Sequence, residues 1–220
     1  MKLFVILALV GLAGQTATPN PARELTYRFG YNTRAAASGP GTGTTTIDIV
    51  GPAADGGVMV NATDTWWNSV RPRATNTCEV YANGGVSCMD RPYAISPIQL
   101  AIFPLLGRNY FSGLNAAGTS TWTCAYQVKR GDLYQWNATF TLTSKGPASS
   151  TGSLILINSR GTMDQLGGRY RQGTASGTIV YDAAARVPVI VSDVRSHLPQ
   201  TTVNNQDGVD LRLTQDSQPH

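Results

Sequence analysis

In the stretch SDVRSH, Asp193, Arg195 and His197 alternate, so a strand that runs this far carries all three on one face. A carboxylate, a guanidinium and an imidazole so placed are the ingredients for fixing an anionic head group, or for the acid–base half of a hydrolase. No G-x-S-x-G or comparable nucleophile context accompanies His197, and the second histidine, His220, is the last residue. The three are therefore read as a polar cluster, with a solvent-facing Asp–Arg pair beside a surface histidine as the plainer alternative. The eleven aspartates and two glutamates are scattered, with no close pair of the kind that glycoside hydrolysis uses. GPGTGTTT (39–46) is glycine-rich but lacks the Lys-Ser/Thr ending of a phosphate loop, and reads as a hairpin connection. No catalytic residue is assigned, and the expectation is a protein that is not an enzyme and uses no cofactor.

Three cysteines and two histidines match no zinc spacing, so no metal site is expected. Cys78 and Cys88 bound the stretch CEVYANGGVSC. A two-residue Asn83-Gly84 turn sends the two thiols to opposite faces. A three-residue loop, Ala82-Asn83-Gly84, sets Cys78 across from Cys88 and supplies Gly84 for the left-handed position. In an oxidising compartment this register predicts a Cys78–Cys88 disulfide, worth about 2–3 kcal/mol for so short a loop. The competing pairing joins Cys124 to one of them and leaves the other free.

AISPIQLAIFPLLG carries the clearest helix signal. Ser96 is a cap, Pro97 suits the first helical position, Gln99 completes an S-x-x-Q capping box, and Ile95 and Leu100 are placed as a hydrophobic staple. Pro104 limits the element to about two turns or kinks it before Gly107. Ile98, Leu100, Ile102, Phe103, Leu105 and Leu106 make it apolar on nearly all sides, which predicts burial on nearly all sides. Such a segment is either a plug contributing core alone or a lid over an apolar cavity. Trp66-Trp67 is the other candidate contact: adjacent residues on a strand point opposite ways, so one indole enters the core and the other faces outward. Arg71, Arg73 and Arg91 flank the hairpin as a small cationic patch, and Asn61-Ala62-Thr63 and Asn137-Ala138-Thr139 match the glycosylation sequon, which matters only in a eukaryotic host.

The elements that would position these residues are strands. In ELTYRFGYN, Leu25, Tyr27, Phe29 and Tyr31 recur at every second residue. Comparable runs continue to VDLRLT (209–214), separated by turn clusters such as Gly39 to Gly43 and Asp182 to Arg186. The pattern predicts an all-β fold, mostly antiparallel: a curved sheet, half-barrel or barrel of about 10–12 strands with one short apolar helix near 96–106.

The opening MKLFVILALVGLAGQTA has the layout of a secretory signal peptide, spanning 1–17 with cleavage near 13–17. One β-rich domain is expected over 18–214, then a disordered tail over 215–220. The apolar opening is too short to span a bilayer as a helix, so the processed protein is expected in the periplasm or outside the cell, not membrane-spanning. A formal charge of +4, with only 14% charged residues, argues against nucleic acid as a partner. The polar QDSQPH end and the internal helix argue against an outer-membrane barrel.

A many-stranded antiparallel sheet with an apolar helix after a hairpin resembles, in architecture alone, the periplasmic lipoprotein carriers of the LolA type, whose helices cover a half-barrel that holds acyl chains. No residue is carried over from the resemblance; the apolar helix itself leads to the expectation of a binding or carrier domain for a lipid, another hydrophobic small molecule or an apolar segment of a protein partner. Ile98 to Leu106 would be the lid, with Trp66 and Trp67 as further contacts. The alternatives are a structural or adhesion module with a solid core, and a hydrolase of unknown substrate.

Overall fold

Period-two alternation builds a wall with an apolar inside and a polar outside. The computed structural model describes residues 23–33, 41–66, 73–88, 95–130, 134–147, 153–165, 173–196 and 209–216. Eleven strands run in chain order: β1 Arg23–Thr33, β2 Gly41–Pro52, β3 Val58–Trp66, β4 Arg73–Val80, β5 Val86–Cys88, β6 Thr119–Arg130, β7 Tyr134–Pro147, β8 Leu154–Gln165, β9 Gly173–Asp182, β10 Val187–Ser196 and β11 Val209–Gln215. Between β5 and β6 lie α1, Pro97–Ile102, and a 3-10 turn, Phe103–Leu106. The expected all-β architecture thus takes its most closed form, a barrel in which every strand has two neighbours.

Closure comes from β1 pairing with both β2 and β11, so the first and last strands leave no free edge. Tyr27 faces Thr45 on one side and Gln215 on the other. The β11 backbone runs to Gln215, and Asp216 still bonds through its N–H to Thr26 O at 2.8 Å. Residues 1–17 and 217–220, the expected leader and the end of the tail, lie outside the described residues.

Inward positions are mostly apolar: Leu25, Tyr27 and Phe29 on β1, Ile47 and Ile49 on β2, and Ile155 and Ile157 on β8 are buried, with Thr45, Asp64, Asn76 and Asp193 as buried polar exceptions. Outward positions are threonine, asparagine and charge, with Thr63 and Thr75 hydroxyls 3.3 Å apart across β3 and β4, and Thr121 and Thr143 likewise across β6 and β7. Among the described residues Val50 is the one large hydrophobic side chain left exposed. This polarity is the reverse of a membrane barrel, whose lipid-facing side is apolar and whose lumen is polar.

One seam departs from the antiparallel rule. The β4–β5 hairpin ends in a three-residue β5 that pairs with β6 in parallel, Val86 opposite Val128 and Cys88 opposite Arg130. A parallel neighbour requires the chain to return to its starting end before β6, and here it returns through the lumen, as α1 and the 3-10 turn. α1 lies against β10 and β11, and the turn against β4 and β10. Residues 107–118 then lead over the tight-turn end of the barrel into β6.

Candidate binding site

The internal segment is built as its residues dictate. Ser96 is extended, and its Oγ accepts from Gln99 N at 3.1 Å, while Pro97 opens the helix where no N–H is needed. The Gln99 side chain does not close the capping box: its Oε1 accepts instead from Asn76 Nδ2 of β4 at 2.6 Å, tying helix to wall. Pro104 converts the end of the helix to 3-10 geometry, and Gly107 N closes it on Pro104 O at 3.2 Å. Ile98, Leu100, Ile102, Phe103 and Leu105 are all buried, with Leu106 partly so. The helix leaves the lumen against the hairpin tip, where Gly84 adopts φ 93°. A Cβ there would sit 2.9 Å from Pro104 O, so the same glycine serves both the turn and the close approach.

The hairpin has the three-residue loop, with Cys78 paired opposite Cys88 and disulfide-bonded to it. Cys124 is the free thiol: it is buried and donates to Tyr110 O at 2.9 Å, and burial pushes it up to about 11. That backbone carbonyl also accepts from Trp122 Nε1 at 2.9 Å. Around it the segment after the helix brings aromatic rings together. Phe111 stacks on Tyr181 with centroids 3.9 Å apart, Tyr110 approaches Tyr126 at 6.0 Å, and Tyr126 stacks on Phe140 at 5.9 Å. The remaining cavity beside the helix, bounded by Leu100, Leu105, Tyr126, Phe140 and Asp193 among others, has a volume of about 20 Å³. That is room for a single water. Beside that space the lumen is taken up by the helix's own side chains, Ile98, Ile102 and Phe103 among them.

The other sequence-derived candidates separate. Trp66 is half-buried and packs edge-on against Phe29, centroids 4.9 Å apart. Trp67 lies outside the described residues, as do Arg71 and Arg91. Asp193 faces the lumen on β10 and is buried, so the solvent-facing placement given as the plainer alternative does not hold for it. The backbone of Arg195 pairs with Ala175 and Val209 on either side, and His197 lies outside the described residues.

Sequence reasoning missed two groupings. Inside the wall, Asp64 points at Thr45, Ser96 and Gln99, and burial raises its carboxyl above the usual range. Thr45, Asp64 and Gln99 are all buried, so these polar groups meet one another away from water. The signal was present, since Asp64 falls on the inward parity of Val60 and Ala62, yet one aspartate in an alternating run carries little weight until the strand is known to be walled on its inner side. Outside the wall, the hairpin tip and the outer faces of β6 and β7 enclose a groove of about 590 Å³. Its residues come from four separate stretches, which no spacing rule connects. Among the described residues no cluster of three or more His, Cys, Asp or Glu could hold a metal ion, and no helix is long and apolar enough to cross a membrane.

No family model matches the chain, and no curated protein or solved structure does either. The functional reading therefore rests on the geometry above.

Proposed function

We propose that this chain is an exported, non-enzymatic binding module: a β-barrel whose lumen is occupied by its own apolar segment and whose outer surface does the recognising. The observation that carries this reading is the filling of the lumen, where α1 and the 3-10 turn leave about 20 Å³ beside them. The Cys78–Cys88 bond supports assembly in an oxidising compartment. The polar outer wall supports a working surface in contact with water.

One observation favours a second reading, the carrier of a hydrophobic ligand. The internal segment stands where such a ligand would sit, and the Asn76–Gln99 hydrogen bond ties it to the wall. A carrier would have to displace that segment. The test is native protein purified without detergent, examined by mass spectrometry and then by thermal unfolding with and without lauric acid. Clean protein with an unmoved melting temperature supports the self-filled module. Lipid carried in stoichiometric amount, with melting raised by added acid, replaces it with the carrier.

A further inference from the structure

We propose that the groove between the hairpin tip and the outer faces of β6 and β7 is a binding site for a short, neutral glycan. The inference rests on the surface-recognition reading above and names the ligand class of that surface. The groove arises from the seam of the barrel: β5 is three residues long, so the tip of the hairpin stands beside a β6 that runs on past it. Its volume, about 590 Å³, falls within the roughly 300–1,000 Å³ of small-ligand pockets.

Both banks are held in place before any ligand arrives. On the hairpin side, Asp55 accepts from Gly57 N at 2.9 Å through one oxygen and from Ala82 N at 2.8 Å through the other, so its carboxylate is committed to tying two turns together. Asn83 Oδ1 accepts from Gly85 N at 2.9 Å, Tyr81 N bonds to Gly85 O at 2.7 Å, and Asn109 N bonds to Ala82 O at 2.7 Å. Gly85 lets Tyr81 and Asn83 close in: a Cβ there would meet Tyr81 Cδ2 and Asn83 Oδ1, each at 3.1 Å. On the strand side, Gln127 Nε2 donates to Asn137 Oδ1 at 3.1 Å. That bond orients both amides and leaves each with a further donor, and Gln127 with an acceptor, for a ligand.

The chemistry of the lining selects the ligand. Three planar amides, Asn83, Gln127 and Asn137, offer donors and acceptors together, which suits hydroxyl groups that do both. Tyr81 adds a ring of the kind on which the apolar face of a sugar rests. The ionisable lining residues are Lys129 and an Asp55 whose oxygens are already satisfied, too little charge of either sign to select an anion or a cation. Val86 and Ala138 are buried in the core, so the apolar side chain that the strand side exposes to the groove is Ala125, too small to hold a lipid.

The experiment is a titration of isotope-labelled, oxidised protein with maltotriose, cellotriose and triacetylchitotriose in turn, following the Gln127 and Asn137 side-chain amides by NMR. Saturable shifts of these amides with at least one trisaccharide are expected, weakened about tenfold or more in Tyr81→Ala and in Gln127→Ala. Unmoved amides with all three sugars at millimolar concentration would overturn the inference, as would binding undiminished in both variants. Shifts produced instead by inorganic phosphate or an acidic peptide would overturn the neutral-ligand assignment. The lipid test of the lumen is independent. Clean protein that ignores every sugar sinks this inference alone, and lipid-loaded protein that binds a sugar here sinks the lumen reading alone.

Discussion

Asp64 puts a carboxyl group into an apolar lumen, and the side chains that face it, Ser96, Thr45 and Gln99, carry no charge and offset only part of the cost of burial. Burial disfavours the ionised form, so the folded-state pKa lies above the ordinary 3.8. The sign follows from proton counts: between the unfolded and the folded value the native state binds more protons, so stability falls as pH rises through that window. Asp182 acts in the other direction. Its carboxylate is held below the ordinary range by Ser153, which bonds it at 2.6 Å, so its contribution is lost as pH falls. Comparing variants isolates Asp64. Asp64→Asn should raise the melting temperature at pH 7 by about 2–4 °C, the shift that roughly 1 kcal/mol makes in a domain of this size, and by less at pH 4. An equal gain at both pH values in thermal unfolding would mean that ionisation is not the cause.

At the scale of elements, the helix and the hairpin were the legible ones. Ser96, Pro97 and an unbroken apolar run predicted a capped, buried helix, because capping and burial are local and compositional properties of a segment. The partner of Gln99 was not legible, since Asn76 lies 23 residues away on another element. Burial makes Ile102 costly to shorten: Ile102→Ala should destabilise the barrel by about 2–5 kcal/mol in denaturant unfolding, with a loss under 1 kcal/mol telling against close packing. The cysteine register was readable in part: of the two turns the sequence allowed, the three-residue loop is the one that sets Cys78 across from Cys88, and it is the one present. Thiol counting checks it. Native oxidised protein should react with no alkylating reagent, and unfolded, unreduced protein with one equivalent, at Cys124. Reduction should lower stability by about 2–3 kcal/mol.

At the scale of the whole molecule, the barrel depends on β11, which bridges β1 and β10. Its last residues also anchor through an Arg28–Asp216 pair at 2.8 Å, exposed and therefore of small worth. Ending the chain after residue 208 should remove cooperative unfolding and expose two strand edges, read as loss of the thermal transition and as aggregation in size-exclusion chromatography. A monomer that still melts cooperatively would show that closure is dispensable. Arg28→Ala, by contrast, should change stability by less than about 1 kcal/mol.

The sequence by itself determined the strands and the capped helix, because each is set by residues within a dozen positions of one another; it narrowed the cysteine register to two, and the structure chose between them. Only the tertiary structure decided that the sheet closes, that the apolar helix fills the lumen, that Asp193 and Asp64 face inward, and that Tyr81, Gln127 and Asn137 share a groove. The reason is the same in each case. Alternation tells which residues share a face, but which face becomes the inside depends on how eleven strands, distant in sequence, divide the surface between water and one another.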